Sequence, residues 1–209
     1  MLRALKVAIF LACLAPLGLL GWKGLHDGLG ANPIEVITHS TGHWTLIFLL
    51  VTLSISPLRR ITGQPRLIRF RRLLGLYAFF YGCLHFTTYI WLDKFFDVHD
   101  MLKDIAKRPF ITIGFTAFAL MIPLALTSTQ GMIRRLGGRR WASLHRLIYF
   151  SGIAAAVHYY WAVKKDVRLP LLAAGILGLL LAYRVMAWLL SRQGPAQTPS
   201  EKKFVAENL

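Results

Sequence analysis

The sequence predicts an all-α protein, a polytopic transmembrane bundle of about six helices with both termini cytoplasmic. Three observations carry that prediction. Of the 209 residues 56% are hydrophobic. They gather into blocks of roughly twenty, the length a helix needs to cross a hydrocarbon core of about 30 Å. The cations collect in alternate connections between those blocks.

Six blocks reach spanning length, at 5–24, 42–58, 73–92, 109–128, 143–163 and 169–190. The first follows Arg3 and Lys6 and is long, without a clean small-x-small site, so it is expected to be a retained span rather than a cleaved signal. Residues 25–41, rich in Gly, Asn and Pro, read as a loop ending in a helix start near Thr38. His39 and His43, spaced i and i+4 at that start, read as residues of a helix cap. Residues 59–72 combine Gly63 and Pro65 with six arginines and form the second connection. Residues 93–108 alternate acids, bases and apolar positions, as in a short amphipathic helix lying on a membrane surface. Pro109 opens the fourth block and Thr127, Ser128 and Thr129 close it. Residues 1–192 form one membrane domain, and 193–209, with Pro195 and Pro199, a polar and disordered cytoplasmic tail. No internal repeat is visible in the letters.

Charge gives the orientation. With both termini inside, the inner connections and tails hold 17 of the 25 Lys and Arg residues against only Glu201 and Glu207, whereas the outer side holds eight cations against seven acids. That is the positive-inside pattern. It also accounts for the net charge of +16 without nucleic acid, because the arginines cluster at block ends and form no basic stripe interleaved with aromatics. Membrane lipid is the partner implied. Cys13 and Cys83 lie within apolar blocks and are expected to be core residues.

Three histidines fall inside blocks: His85, His145 and His158. An imidazole in hydrocarbon needs a partner, and haem iron is a frequent one. His85 lies twelve residues past Leu73 and His158 fifteen past Ser143, so both are expected about 18 to 22 Å along parallel helices, at one level. One haem bridging them would be six-coordinate, a closed site suited to electron transfer. His145, thirteen residues before His158, is expected about 20 Å deeper, where a second redox centre would take over. Tyr and Phe residues around these positions supply flat apolar surface. Arg72, Arg140 and Arg146 at the inner ends are candidates for contacts to haem propionates or a flavin phosphate. His99 follows His85 by fourteen residues, but Asp93, Lys94 and Asp97 between them place it outside the membrane.

The strings RRLLGLYAFFYGCLHFTTY at 71–89, LTSTQGMIRRLGGRRWASLHRLIY at 126–149 and HYYW at 158–161, with the GLGANP loop and the HSTG stretch, resemble the MsrQ (YedZ) family. These are the haem-binding membrane subunits of the periplasmic protein-methionine-sulfoxide reductase system. More distantly the core is similar to the ferric reductase and NADPH oxidase transmembrane domain, where Arg71 stands in place of a second ligand.

The resemblance implies that His85, His145 and His158 are axial ligands of one or two b-type haems, and that FMN is bound. It implies a bacterial inner-membrane location, with electrons from the quinone pool or a cytosolic flavin reductase. The acceptor it implies is a periplasmic molybdopterin-containing subunit that repairs oxidised methionine. No substrate chemistry is expected of this chain alone. A membrane ferric reductase or oxidase-like cytochrome b with another acceptor is the alternative. No glycine-rich nucleotide fingerprint follows a strand, so electrons are expected from outside the chain. A transporter would spread its ionisable groups along a path, whereas these histidines concentrate at two depths.

Overall fold

The computed structural model describes residues 2–192; the proposed tail lies outside them. The described residues form helices α1 (Leu2–Leu25), α2 (Pro33–Thr62), α3 (Ile68–Thr87), α4 (Val98–Lys107), α5 (Pro109–Leu126), α6 (Gln130–Leu136), α7 (Gly138–Leu144), α8 (Leu147–Ala162) and α9 (Arg168–Arg192). A 3₁₀ turn, Pro65–Leu67, precedes α3, and α3 continues into a π-helical segment, Thr88–Asp93.

Five of these are long and apolar enough to cross a membrane: α1, α2, α3 with its flanking turns, α5 and α9. The block expected at 143–163 is shorter. Leu144 ends α7, His145 and Arg146 make a turn, and α8 runs for 16 residues from Leu147, about 24 Å of helix. The start of α2 also departs from expectation. Asn32 caps it, its side chain accepting from the Glu35 amide at 3.3 Å and donating to the Glu35 carboxylate at 2.9 Å, and Pro33 occupies the first helical position. The helix therefore begins five residues before Thr38, and His39 and His43 belong to its body, both exposed. At the far end Gly63, with φ of 65°, closes α2 in the left-handed conformation that glycine adopts freely.

Two antiparallel pairs organise the bundle: α2 packs most extensively on α3, and α5 on α8. The centre is aromatic and aliphatic, with Leu49, Ala78 and Tyr81 almost fully buried. Small and hydroxylated residues let the pairs close. Ser151, wholly buried on α8, donates to the Ala117 carbonyl of α5 at 2.9 Å. A side chain at Gly152 would meet Leu177 of α9 and Leu53 and Leu49 of α2, so its absence brings three helices together. Around this core Leu11, Leu19, Leu126, Phe150 and Leu179 point outward, exposed in the isolated chain and suited to lipid.

The amphipathic segment at 93–108 is α4, capped by the Asp97 side chain, which accepts from the Asp100 amide at 3.0 Å. Phe95 and Phe96 before it adopt positive φ, 48° and 62°. The Phe96 amide donates to Ile90 at 2.9 Å, which helps to hold that turn.

Candidate functional site

His85 and His158, 73 positions apart in the chain, meet at one end of the bundle with ring centroids 6.0 Å apart and planes at 67°. The helices that carry them follow from the sequence. The apolar run of α3 places His85 on the same face as buried Leu74, Ala78 and Tyr81, and the small-residue stretch Gly152–Ala156 presses α8 inward just before His158.

Each ring is tied to a backbone carbonyl on the helix beside it. His85 Nδ1 lies 3.0 Å from the Thr38 carbonyl on α2, and His158 Nδ1 lies 2.7 Å from the Phe110 carbonyl on α5. A carbonyl oxygen only accepts, so both Nδ1 atoms carry the proton and donate. Both Nε2 lone pairs are thereby left as ligands in the neutral tautomer. This is the outer-partner arrangement typical of metal-bound imidazole.

The pair could hold a haem iron: two imidazoles bound to one metal ion at about 2 Å would have ring centroids roughly 6 Å apart. The carbonyl partners fix each ring's proton on the nitrogen that would face away from the iron. Phe110 lies against the His158 ring with centroids 6.2 Å apart, and Phe86, next to His85 in the chain, makes tilted contacts with Phe118 and Phe115 at 4.9 and 5.8 Å. Among the described residues no group of three or more His, Cys, Asp or Glu side chains could enclose a bare metal ion.

His145 is placed elsewhere. It caps α7 rather than opening α8, its Nε2 lies 3.1 Å from the Thr127 hydroxyl, and Trp141 stacks on its ring at 3.9 Å. The Trp141 indole also donates to the Thr127 carbonyl at 2.9 Å, so one threonine anchors both rings. The turn at 145–146 removes the basis for treating His145 and His158 as thirteen steps of one helix.

Arg72, Arg140 and Arg146 are exposed at the arginine-rich end. Their neighbours Arg71 and Arg184 are the arginines that turn inward. Arg71 donates to the Ser56 hydroxyl of α2 at 3.4 Å. Arg184 donates to the Leu180 carbonyl at 3.0 Å and to the Leu53 carbonyl of α2, with its guanidinium 5.3 Å from the centre of the Tyr149 ring. His99 lies exposed on α4, and His39 and His43 are exposed on α2.

Sequence reasoning missed four residues here: Thr38 and Phe110, which supply the carbonyls, and Gly42 and Gly114, on which the two rings rest. A Thr or Phe chosen for its carbonyl leaves no mark in the letters. The glycines do leave one, since Gly42 precedes His85 by 43 positions and Gly114 precedes His158 by 44.

Residues 40–156 match the sequence family described as the ferric reductase like transmembrane component. The chain is similar to proteins named protein-methionine-sulfoxide reductase heme-binding subunit MsrQ. The protein of Herminiimonas arsenicoxydans is 56% identical over 190 residues, covering 90% of this chain and 87% of that one. That of Bordetella pertussis is 52% identical over 195 residues, covering 92% and 94%. That of Ralstonia nicotianae is 53% identical over 196 residues, covering 92% and 90%.

Proposed function

Because the chain belongs to the MsrQ family, within the ferric reductase like transmembrane group, we propose that it is the haem-binding electron-transfer subunit of a protein-methionine-sulfoxide reductase system. The observation that carries this reading is the His85–His158 pair, 6.0 Å apart with both Nδ1 protons already donated to carbonyls.

In this reading His85 and His158 hold one b-type haem through Nε2. When bound, such a haem would supply one-electron transfer. The Thr38 and Phe110 carbonyls hold the imidazoles neutral and aimed, and raise their basicity as ligands. The chain performs no substrate chemistry itself; it relays electrons along the bundle.

His145 belongs to the arginine-rich end, the place for a second haem, with Arg72, Arg140 and Arg146 as contacts for propionates or for the phosphate of FMN. The bilayer is the bacterial inner membrane, with the arginine-rich end and both termini cytoplasmic. Electrons enter there from the quinone pool or a cytosolic flavin reductase. They leave at the His85–His158 end for a periplasmic molybdopterin-containing methionine sulfoxide reductase. Residues 1–192 are the membrane domain and 193–209 a cytoplasmic tail.

The test is the oxidised and dithionite-reduced spectrum of the purified protein, with a pyridine haemochrome assay, in wild type, His85→Ala and His158→Ala. A sharp b-type band in wild type that either substitution abolishes is the expected result. A folded but colourless wild type would overturn the reading.

A further inference from the structure

The two histidine seats are built alike. On α2, Thr38 supplies the accepting carbonyl and Gly42, four residues later, lies under the His85 ring; a Cβ there would be 3.0 Å from Cε1 and 3.1 Å from Nδ1. On α5, Phe110 supplies the carbonyl and Gly114, again four residues later, lies under the His158 ring; a Cβ there would be 2.6 Å from Nδ1, 2.8 Å from Cε1 and 2.9 Å from Cγ. Four residues are about one helical turn, so in each seat the carbonyl and the glycine share one face and the imidazole lies across both.

The likeness extends to the helices. Pairs α2–α3 and α5–α8 each enter at the histidine end, turn through an arginine-bearing connection and return carrying the histidine. Histidine follows carbonyl by 47 residues in the first pair and 48 in the second. The pairs run in the same direction, because their histidines meet at one end. The two pairs thus share one arrangement, carried by backbone carbonyl and glycine rather than by side-chain identity.

Glycine inside a helix is disfavoured and needs a reason. At Gly18, Gly21, Gly175 and Gly178 a Cβ would meet nothing within 4 Å, and at Gly75 it would make ordinary contact with Thr52 at 3.5 Å. At Gly114 a Cβ would come under 3 Å from three ring atoms, and at Gly42 it would be tighter than ordinary van der Waals contact on two, so the ring would have to give by a few tenths of an ångström. A ring that moves off its glycine also strains the Nδ1 hydrogen bond that ties it to the carbonyl.

We propose that Gly42 and Gly114 are positioning residues, the floors of two matching seats that fix the rotation and proton placement of His85 and His158. The seats belong to the fold itself; their consequence for a bound haem rests on the function proposed above.

The experiment compares wild type, Gly42→Ala, Gly114→Ala and the open-site control Gly178→Ala. All are purified as full chains with ¹⁵N-labelled histidine and checked for thermal unfolding. Haem content, the ferric low-spin electron paramagnetic resonance signal and the midpoint potential are read first. Gly114→Ala is expected to lose most of its haem. Gly42→Ala, the milder intrusion, is expected to keep haem with shifted g values and potential, and Gly178→Ala to match wild type. The histidine nitrogen spectrum is read on the same samples. The signals of Nδ1–H donated to carbonyl should be present in wild type and Gly178→Ala, displaced for one histidine in Gly42→Ala and for the other in Gly114→Ala.

Wild-type haem signals and unchanged histidine signals in Gly42→Ala and Gly114→Ala would overturn the proposal. A wild type without haem would end the haem reading, while the nitrogen spectra would still decide whether the glycines set the rings. Should Gly114→Ala fail to fold, Gly42→Ala decides.

Discussion

The Tyr81 hydroxyl sits within the hydrogen-bond ladder of α1, donating to the Cys13 carbonyl at 2.9 Å and accepting from the Leu17 amide at 3.2 Å. Cys13 and Leu17 are four apart, so the hydroxyl stands between the two groups that would bond each other in an unbroken helix. Pro16 beside them already removes one amide donor. Four residues before Tyr81, Tyr77 donates to the Phe10 carbonyl at 2.9 Å. Helix α1 packs lightly on both α2 and α3, and these two tyrosines fasten it to α3.

Replacing Tyr81 by Phe keeps the ring and deletes the bridge, leaving a buried carbonyl and amide to re-pair. The expected cost is about 1–3 kcal/mol, concentrated in the attachment of α1. Thermal unfolding should fall and amide exchange over 10–18 should rise, with any haem signal unchanged because Tyr81 does not touch the histidine pair. Unchanged exchange in α1 would show that the hydroxyl is not what pins it.

Histidine substitutions separate the two ends of the bundle. His145 is bound to Thr127 and stacked on Trp141, remote from the 6.0 Å pair. His145→Ala is therefore expected to keep the reduced band that His85→Ala and His158→Ala abolish, and His99→Ala, on exposed α4, to leave absorbance unchanged. Loss of the whole band in His145→Ala would move the principal site to the arginine-rich end.

The apolar spans were legible because about twenty apolar residues cross a bilayer; His85 and His158 do meet, although the count that put them at one level ran from Ser143 through the turn that separates α7 from α8. The break before α8 was not, since the turn at His145 and Arg146 is fastened by Thr127, which lies 18 residues away in the chain. The start of α2 was legible but misread, as Asn32, Pro33 and Glu35 form a cap that outweighs the loop-like composition around them. For the arginines, helical phase was the missing argument. Arg71 shares a face with buried Leu74, Ala78 and Tyr81, whereas Arg72, one step of 100° away, points outward.

Arg184 reaches from α9 into α2, donating to the Leu53 carbonyl while holding Leu180 of its own helix. Leu53 is buried, and its neighbours in the local core are Ala156, Leu177 and Tyr149. Arg184→Leu removes the charged donor and the ring contact together, and is expected to destabilise the fold by about 2 kcal/mol. Arg184→Lys, with a single ammonium in place of a planar fork, cannot span both carbonyls and should recover only part of that. Equal melting temperatures for wild type and Arg184→Leu would show that α9 is held by apolar packing alone.

The loop at the histidine end is expected to be pH-dependent. Lys94, nearly buried, lies 2.7 Å from Asp100 and 2.5 Å from Asp104, and Arg108 approaches Asp104 at 3.4 Å. Hydrogen bonding to Asp100, then to Asp104, holds the Lys94 ammonium well above the ordinary lysine range, and the same contact with Lys94 depresses the Asp100 carboxyl. A depressed carboxyl contributes stability that is present above its unfolded value of about 4 and lost as pH falls through the folded one. A raised lysine contributes below about pH 10 and loses that contribution as pH rises past its folded value. Helix α4 is thus expected to be latched between about pH 5 and 10 and to loosen in acid. Amide exchange of residues 98–107, corrected for the intrinsic pH dependence, should accelerate between pH 7 and pH 3, and Lys94→Met should show the faster exchange already at pH 7. Protection that stays constant to pH 3 in wild type would mean that α4 is held by its apolar face and not by the Lys94 contacts.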